Sequence, residues 1–282
     1  MAEHDAPTTR WSRTTRRPLF ITALVLLAAL LTTGLLADLV APYSPTTVDA
    51  RHIFRGPTPS HPFGTDRFGR DVLSRILFGI RVSLGIAAAS IAVAVVSGST
   101  LGLLAGIGRV VDQVLGRLMD VFFAFPPILL AIGIAAVLGA GPGTAVVAIA
   151  VVYAPLFSRV ARGPVIAERE KEYVFAALGL GAGSFRVVFR HILPNVLAPL
   201  IVQVSVSLAY AILTEAALSY LGLGTQPPAP SWGTMLNEGR TYLETAPWMS
   251  IFPGIAIMFA VFGFNLLGDG LRAVLDPQLR GR

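Results

Sequence analysis

Six long apolar stretches constrain this chain more than any other feature of its sequence. They cover approximately residues 19–41, 82–107, 118–138, 144–160, 198–221 and 251–271. About 20 such residues are needed for an α-helix to cross the ~30 Å hydrocarbon core of a bilayer, because the helix rises about 1.5 Å per residue. Only 13% of the residues are charged and 54% are hydrophobic, which leaves too little polar surface for a water-soluble globule. The pattern predicts an all-α integral membrane protein with six transmembrane helices.

The basic residues predict how these helices are oriented. If the N-terminus lies in the cytoplasm, fifteen of the 22 lysine and arginine residues fall on the cytoplasmic side, as the positive-inside rule expects. Both termini are then cytoplasmic. The first apolar stretch is longer than the ~7–15 apolar residues of a signal peptide, which favours an uncleaved anchor over a cleaved leader.

Two of the connections between the apolar stretches are too long to be simple turns. The first, from Pro42 to about Arg81, is rich in proline and glycine in its early part, which predicts an ordered but non-helical external loop. Residues 70–81 carry apolar side chains at helical spacing and predict a helix along the outer membrane surface. Residues 222–250 contain aromatic side chains of the kind found at a membrane–water interface.

The sequence carries no recognisable catalytic or metal-binding pattern. The chain has no cysteine, which excludes disulfides, iron–sulfur clusters and thiolate zinc sites. The one lysine, Lys171, does not follow the glycines of a phosphate-binding loop, and the four histidines lack metal-ligand spacing. Basic residues are scattered between the apolar blocks and form no patch for nucleic acid. We therefore expect no catalytic residue, no metal and no cofactor in this chain, and no nucleic-acid partner.

Two features inside the apolar stretches are candidates for a structural or functional role. Gly98, Gly102 and Gly106 recur every four residues and leave one helix face open to a neighbouring backbone. This face packs either within the bundle, the interpretation we favour, or against another subunit. Glu215 is an ionisable residue at membrane depth, and such residues usually face protein or water. It is either a pore or gate residue or a hydrogen-bonding partner between helices.

The segment from Ala167 to Asn195 is the most informative part of the sequence. It begins with mixed charges, continues through a run of alanine and glycine, and ends with basic residues and a Leu-Pro pair. A helix, a glycine break and a second basic helix ending at Pro194 would form a compact shape that fits a groove on a soluble partner. A loop that is merely solvated would not need this pattern.

The spacing of small and apolar residues in this segment resembles the EAA loop of ABC-importer permeases, which inserts into a cleft of the ATPase subunit. Five further strings, in the same order along the chain, resemble the C-type permease of dipeptide and oligopeptide importers: residues 61–84, 117–132, 189–195, 218–236 and 264–280.

This resemblance implies a type I ABC-importer permease fold in a bacterial cytoplasmic membrane. It implies a cytoplasmic tail at residues 1–18, a first transmembrane helix and external segment at 19–78, the permease domain at 79–272 and a second cytoplasmic tail at 273–282. It also implies a heterodimer with a B-type permease, two cytoplasmic ATPase subunits that bind ATP and magnesium, and an extracytoplasmic solute-binding protein. The residues implied in ATPase coupling are Glu172, Phe175, Ala176, Ala177, Gly181, Arg186, Arg190, His191, Leu193 and Pro194.

One position departs from the family pattern. The loop takes its name from a glutamate, and this chain has Phe175 at that position. Glu172 lies about one helical turn earlier and could supply the carboxylate. The competing interpretation of the whole chain is a self-contained channel or secondary transporter. Such a protein would need its own ion or proton relay, and Glu215 is the one candidate deep in an apolar stretch.

Overall fold

The computed structural model describes residues 11–105 and 108–275, with the side chains of a few of these left out. The described part is almost entirely helical. Its α-helices are α1 Trp11–Leu35, α2 Ala37–Val40, α3 Val72–Ala105, α4 Arg109–Phe123, α5 Pro127–Leu138, α6 Pro142–Arg169, α7 Glu172–Gly179, α8 Ser184–Val187, α9 Leu193–Tyr220, α10 Trp232–Gly239 and α11 Trp248–Leu275.

Four of these helices are long and apolar enough to cross a membrane, namely α3, α6, α9 and α11. Helices α4 and α5 pass the same test only as a pair, and the pair is bent by 89°. The described apolar part of α1, Phe20–Leu35, is a shorter apolar helix. The described residues therefore contain four spans, or five if the bent pair is one span, and the predicted count of six is not confirmed.

The third apolar stretch was predicted as one continuous helix, and the structure shows that this is wrong. The break falls at residues 124–126, between the end of α4 and the start of α5 at Pro127. Proline has no backbone N–H and disfavours a helical conformation in the residue before it. Two consecutive prolines, Pro126 and Pro127, therefore end one helix and begin the next.

The predicted surface helix over residues 70–81 is also absent. Val72 instead begins α3, which continues to Ala105. The polar residues of the amphipathic pattern make contacts inside the protein. Arg81, for example, donates to the carbonyl oxygens of Gly34 and Leu35 at the end of α1, each at 2.6 Å, and so pairs a cation with the negative end of a helix dipole.

The most extensive contact between helices joins α3 and α6. A Cβ atom added to Gly98 would overlap the Ala154 backbone and come within 2.9 Å of Phe157 Cβ, and one added to Gly102 would lie 2.5 Å from the carbonyl oxygen of Ser158. The two glycines thus let the backbones of α3 and α6 of one chain approach closely. Gly106, the third member of the pattern, lies outside the described residues.

The connections at residues 42–71 and 222–247 fold together at one end of the bundle, and we call them the loop platform. The first consists mainly of turns, as predicted, with one short 3₁₀ turn at Ala50–His52. The Trp248 indole N–H donates to the carbonyl oxygen of Thr65 at 3.0 Å. The backbone N–H of Arg51, followed by the His52 ring, stabilises the Asp49 carboxylate and lowers its pKa.

A buried cluster of ion pairs fastens the two parts of the platform together. Arg70 contacts Asp66 at 2.6 Å and Glu238 at 2.9 Å, while Arg75 contacts the same two carboxylates at 2.5 and 2.6 Å. All four side chains are buried. Because each guanidinium bridges both carboxylates, α3 and α10 are held in one relative position.

We predict that Glu238→Gln destabilises the protein. The substitution leaves two buried arginines with one carboxylate, and breaking a buried ion pair costs about 3–5 kcal/mol. Thermal unfolding in detergent, followed by tryptophan fluorescence, should show a clear loss. Arg67→Gln is the matched control, because Arg67 is exposed on the same platform and stacks only on Phe68. Its cost should stay below about 1 kcal/mol. Equal losses for the two variants would contradict a stabilising role for the cluster.

Candidate coupling loop

Residues 167–195, which we call the EAA-like loop, connect α6 to α9 at the end of the bundle away from the loop platform. Glu168, in the last turn of α6, contacts the Lys171 ammonium at 2.5 Å and accepts a hydrogen bond from the Tyr173 hydroxyl at 2.5 Å. These contacts fix the start of α7 against the end of α6. The loop is therefore attached to α6 by side-chain contacts as well as by the backbone.

The turn after α7 depends on a glycine. Gly181 has a φ of +83°, a conformation that glycine adopts at little cost. The Ala182 N–H donates to the Ala177 carbonyl at 3.0 Å, and the Leu180 N–H donates to the Ala176 carbonyl at 3.0 Å. The bond from Ala182 to Ala177 is the 6→1 bond of a Schellman motif at a helix C-terminus, and the bond from Leu180 to Ala176 is an ordinary helical bond. Ala176, Ala177 and Gly181 thus form one structural unit, which the spacing in the sequence predicts.

One side of the EAA-like loop is anchored in the protein core. Val174, Val187, Val188 and Ile192 are buried in the main hydrophobic cluster of the bundle. Three other large apolar side chains of the loop are mostly exposed in the described chain. Phe175 is 62% exposed, Leu180 90% and Phe185 66%. We call these three residues the apolar face of the loop.

Exposed charged residues are close in sequence to the residues of the apolar face. Glu172, Arg186 and Arg190 are exposed, and the Phe185 ring packs on the Phe189 ring with centroids 4.3 Å apart. An apolar centre with a charged rim is typical of a surface that binds another protein. The side chain of His191 lies outside the described residues, so its predicted role is not tested.

The second half of the EAA-like loop differs from its prediction. The sequence predicted a basic helix that ends at Pro194. Instead, α8 continues into a π-helical segment, Val188–Ile192, and α9 begins at Leu193. Pro194 lies in the first turn of α9, where its missing N–H would have no helical partner in any case. The chain therefore passes from loop to membrane helix without a break.

Glu215 does not line a surface of the described chain. Its carboxyl group is completely buried in α9 and accepts a hydrogen bond from the Ser219 hydroxyl at 2.7 Å. No solute could reach the carboxyl without moving the surrounding helices. This geometry favours the interpretation of Glu215 as a packing residue, and a pore role stays a prediction.

A polar cavity between α4 and α6 was not expected from the sequence. It has a volume of about 360 Å³ and lies near the α3–α4 connection. Arg162 forms two hydrogen bonds with the Asp112 carboxylate, and Arg159 lies 3.5 Å from Asp120. Asp112 and Arg162 are 50 positions apart, and no periodic pattern in a single sequence indicates such a pairing.

Comparison with known proteins identifies the family in which this arrangement occurs. Residues 98–281 match the family model described as a binding-protein-dependent transport system inner membrane component. The chain is 44% identical to the dipeptide transport system permease protein DppC of Alkalihalophilus pseudofirmus, over 94% of this chain and 88% of that protein. It is 42% identical to the glutathione transport system permease protein GsiD of Pectobacterium atrosepticum, over 96% of this chain and 90% of that protein.

A solved structure shares the fold. The inward-facing MetNI methionine ABC transporter contains a chain that superimposes with a TM-score of 0.58 at 19% identity, covering 72% of this chain and 96% of that one. The fold is therefore that of a type I ABC-importer permease. The chain belongs to the binding-protein-dependent transport system inner membrane components, and it is a permease subunit of an ABC importer, a transport subunit rather than an enzyme.

Proposed function

We propose that the chain transports peptides as the C-type subunit of a heterodimer with a B-type permease. Relatives that match nearly the whole chain are named for the transport of dipeptides, di/tripeptides and glutathione. In this proposal the two permeases enclose the solute path, and a solute-binding protein delivers the peptide to the loop platform.

The exposed apolar face of the EAA-like loop carries the coupling part of the proposal. An uncovered group of Phe175, Leu180 and Phe185 at the end of a membrane protein is unfavourable in water unless a partner covers it. Two cytoplasmic ATPase subunits, which bind the ATP and magnesium, are the partners we infer. One of them would cover this face, and its movement on ATP binding would shift α6 and α9, which flank the loop.

This proposal also fixes the orientation of the chain. The ATPases are cytoplasmic, so the EAA-like loop and both termini lie in the cytoplasm and the loop platform lies outside. The excess of basic residues on the loop side of the sequence supports the same orientation. Together these features describe a multi-pass subunit of the bacterial inner membrane.

Gly181→Arg should uncouple ATP hydrolysis from transport. Arginine at a positive φ strains the turn by roughly 1–2 kcal/mol, and its side chain would hold the ATPase surface away from the apolar face. We expect normal amounts of the variant in the membrane but loss of peptide-stimulated ATPase activity in the reconstituted complex. Gly181→Asn is the control, since asparagine tolerates this φ and is small. Normal transport by the arginine variant would refute the docking assignment.

Phe175→Ala should weaken ATPase binding more than Glu172→Ala. Removing a well-covered aromatic anchor from an interface costs roughly 1–3 kcal/mol, whereas a charge at the rim contributes about 0–1 kcal/mol. Affinities of detergent-solubilised permease for the ATPase would give both values. A larger loss for Glu172→Ala would mean that the carboxylate has moved one turn along the helix and that the ring is not the anchor.

Single cysteines test the orientation directly, because the natural chain has none. Leu180→Cys lies on the apolar face and Glu244→Cys on the loop platform, and both positions are exposed. An impermeant thiol reagent applied to intact cells should label the cysteine at 244 and not the one at 180. Permeabilised cells should allow labelling at 180, which controls for its accessibility. The reverse pattern in intact cells would invert the orientation.

A further inference from the structure

We propose that the bend between α4 and α5 is a binding site for the charged ends of a peptide inside the solute path. The inference rests on the proposed function as a peptide permease. The site consists of the Asp120 carboxylate, the Arg159 guanidinium and the carbonyl oxygen of Phe123.

The bend lies at membrane depth. Helix α5 has 12 residues between the bend and the turn whose Gly141 N–H bonds to Leu223 of the loop platform, which puts the bend about 18 Å below that end at ~1.5 Å per residue. Phe122, next to the bend, lines an apolar cavity together with α6 residues from Val146 to Pro155. These residues lie about 6 to 20 Å along α6 from its start at Pro142, a range that includes this depth.

The sequence leaves one backbone group at the bend without a helical donor. The carbonyl oxygen of Phe123 would accept its helical hydrogen bond from the N–H of residue 126 or 127, and both are prolines. Ala124, Phe125 and Pro126 are all exposed in this chain. Irregular backbone at membrane depth is tolerated only where it is covered by protein or faces water, so the bend cannot face lipid.

An exposed ion pair lies on the same side as the bend. Asp120 and Arg159 are 3.5 Å apart, with side chains 73% and 58% exposed. Asp120 is one helical turn before Ala124, whose N–H bonds to the Asp120 carbonyl, so the two residues share a face of α4. Arg159 lies about 26 Å along α6 from its start at Pro142, so the ion pair is nearer the EAA-like loop than the bend is. The broken backbone therefore indicates a surface that faces water or protein rather than lipid, and the exposed ion pair places charged groups beside it.

The neighbouring ion pair shows what a purely structural contact looks like in this region. Arg162 holds Asp112 through two hydrogen bonds, and both side chains are less exposed than those of Arg159 and Asp120. That two-point contact fixes α4 against α6. The Asp120–Arg159 pair has one long contact and is screened by solvent, so it is weak. Its members can exchange partners with a ligand while α4 stays in place.

A peptide with free termini has the chemistry that this site would bind. Its ammonium group fits between the Asp120 carboxylate and the Phe123 carbonyl oxygen, at the negative end of the α4 dipole. Its carboxylate fits Arg159, whose guanidinium is already held over the Phe123 ring, 3.8 Å from the centroid. Binding exchanges one exposed ion pair for two contacts and makes no demand on the peptide side chains, which suits a carrier of many sequences.

Thiol protection in the reconstituted importer tests this site without depending on the binding protein. The complex carries Ala124→Cys in this chain and partner subunits without accessible cysteines. We expect a water-soluble methanethiosulfonate to modify this cysteine, and saturating dialanine to slow the reaction by about tenfold, as expected for ligand at ten times its Kd. N-acetyl-dialanine amide, which lacks both charges, should not slow it. Adding Asp120→Asn should abolish the protection by dialanine.

Two controls make each result decisive. Val96→Cys lies on the unbroken helix α3 and is 69% exposed in this chain, and we expect no reaction because this apolar helix has no broken backbone there that requires water. If Ala124→Cys does not assemble, Phe125→Cys reports on the same surface. An unreactive cysteine at the bend, or equal protection by the capped peptide, would overturn the site. ATP-driven dialanine uptake by the unmodified complex with its binding protein tests the proposed function separately.

Discussion

The close contact between α3 and α6 is the constraint on which the rest of the structure depends. Gly98 and Gly102 bring the two backbones together where any larger residue would collide with Ala154 or Ser158. In a bilayer, lipid tails are as apolar as leucine, so close packing of small residues takes over much of the role that hydrophobic burial has in water. Helix α3 begins in the loop platform and α6 ends in the EAA-like loop. The contact therefore joins the two ends of the molecule into one rigid unit.

The two ends of this unit are built differently. At the platform, four buried charged residues bridge α3 and α10. Separating them would leave buried charges unpaired, and the free-energy cost of this holds the two helices in one arrangement. At the other end, the EAA-like loop is anchored by aliphatic side chains, while Phe175, Leu180 and Phe185 are exposed in this chain. A rigid platform at one end and an exposed loop at the other would suit a subunit in which movement of the loop changes the position of the membrane helices.

Much of the fold can be predicted from the sequence, because it follows from two simple patterns. The length of the apolar stretches predicts the four long helices α3, α6, α9 and α11, and the four-residue glycine spacing predicts the face of α3 that packs on α6. The Ala-Ala and Gly181 pattern similarly gives the turn of the EAA-like loop, since a positive φ requires a residue like glycine. What could not be predicted depends on pairs that are distant in sequence. Glu238 lies 163 positions from Arg75, and neither residue alone indicates that both are buried.

The bend between α4 and α5 shows where composition and local geometry diverge. By composition, residues 118–138 form one apolar stretch, and a length criterion accepts them as a span. Two adjacent prolines override this, because they remove the only helical donors for the Phe123 carbonyl oxygen. In water such a group would simply be hydrated, but a bilayer offers it no partner. The two prolines therefore require water or protein at this depth, and the exposed Asp120–Arg159 pair lies on the same side of the chain. A lipid-facing surface does not meet this requirement, whereas a surface that faces water or another protein does.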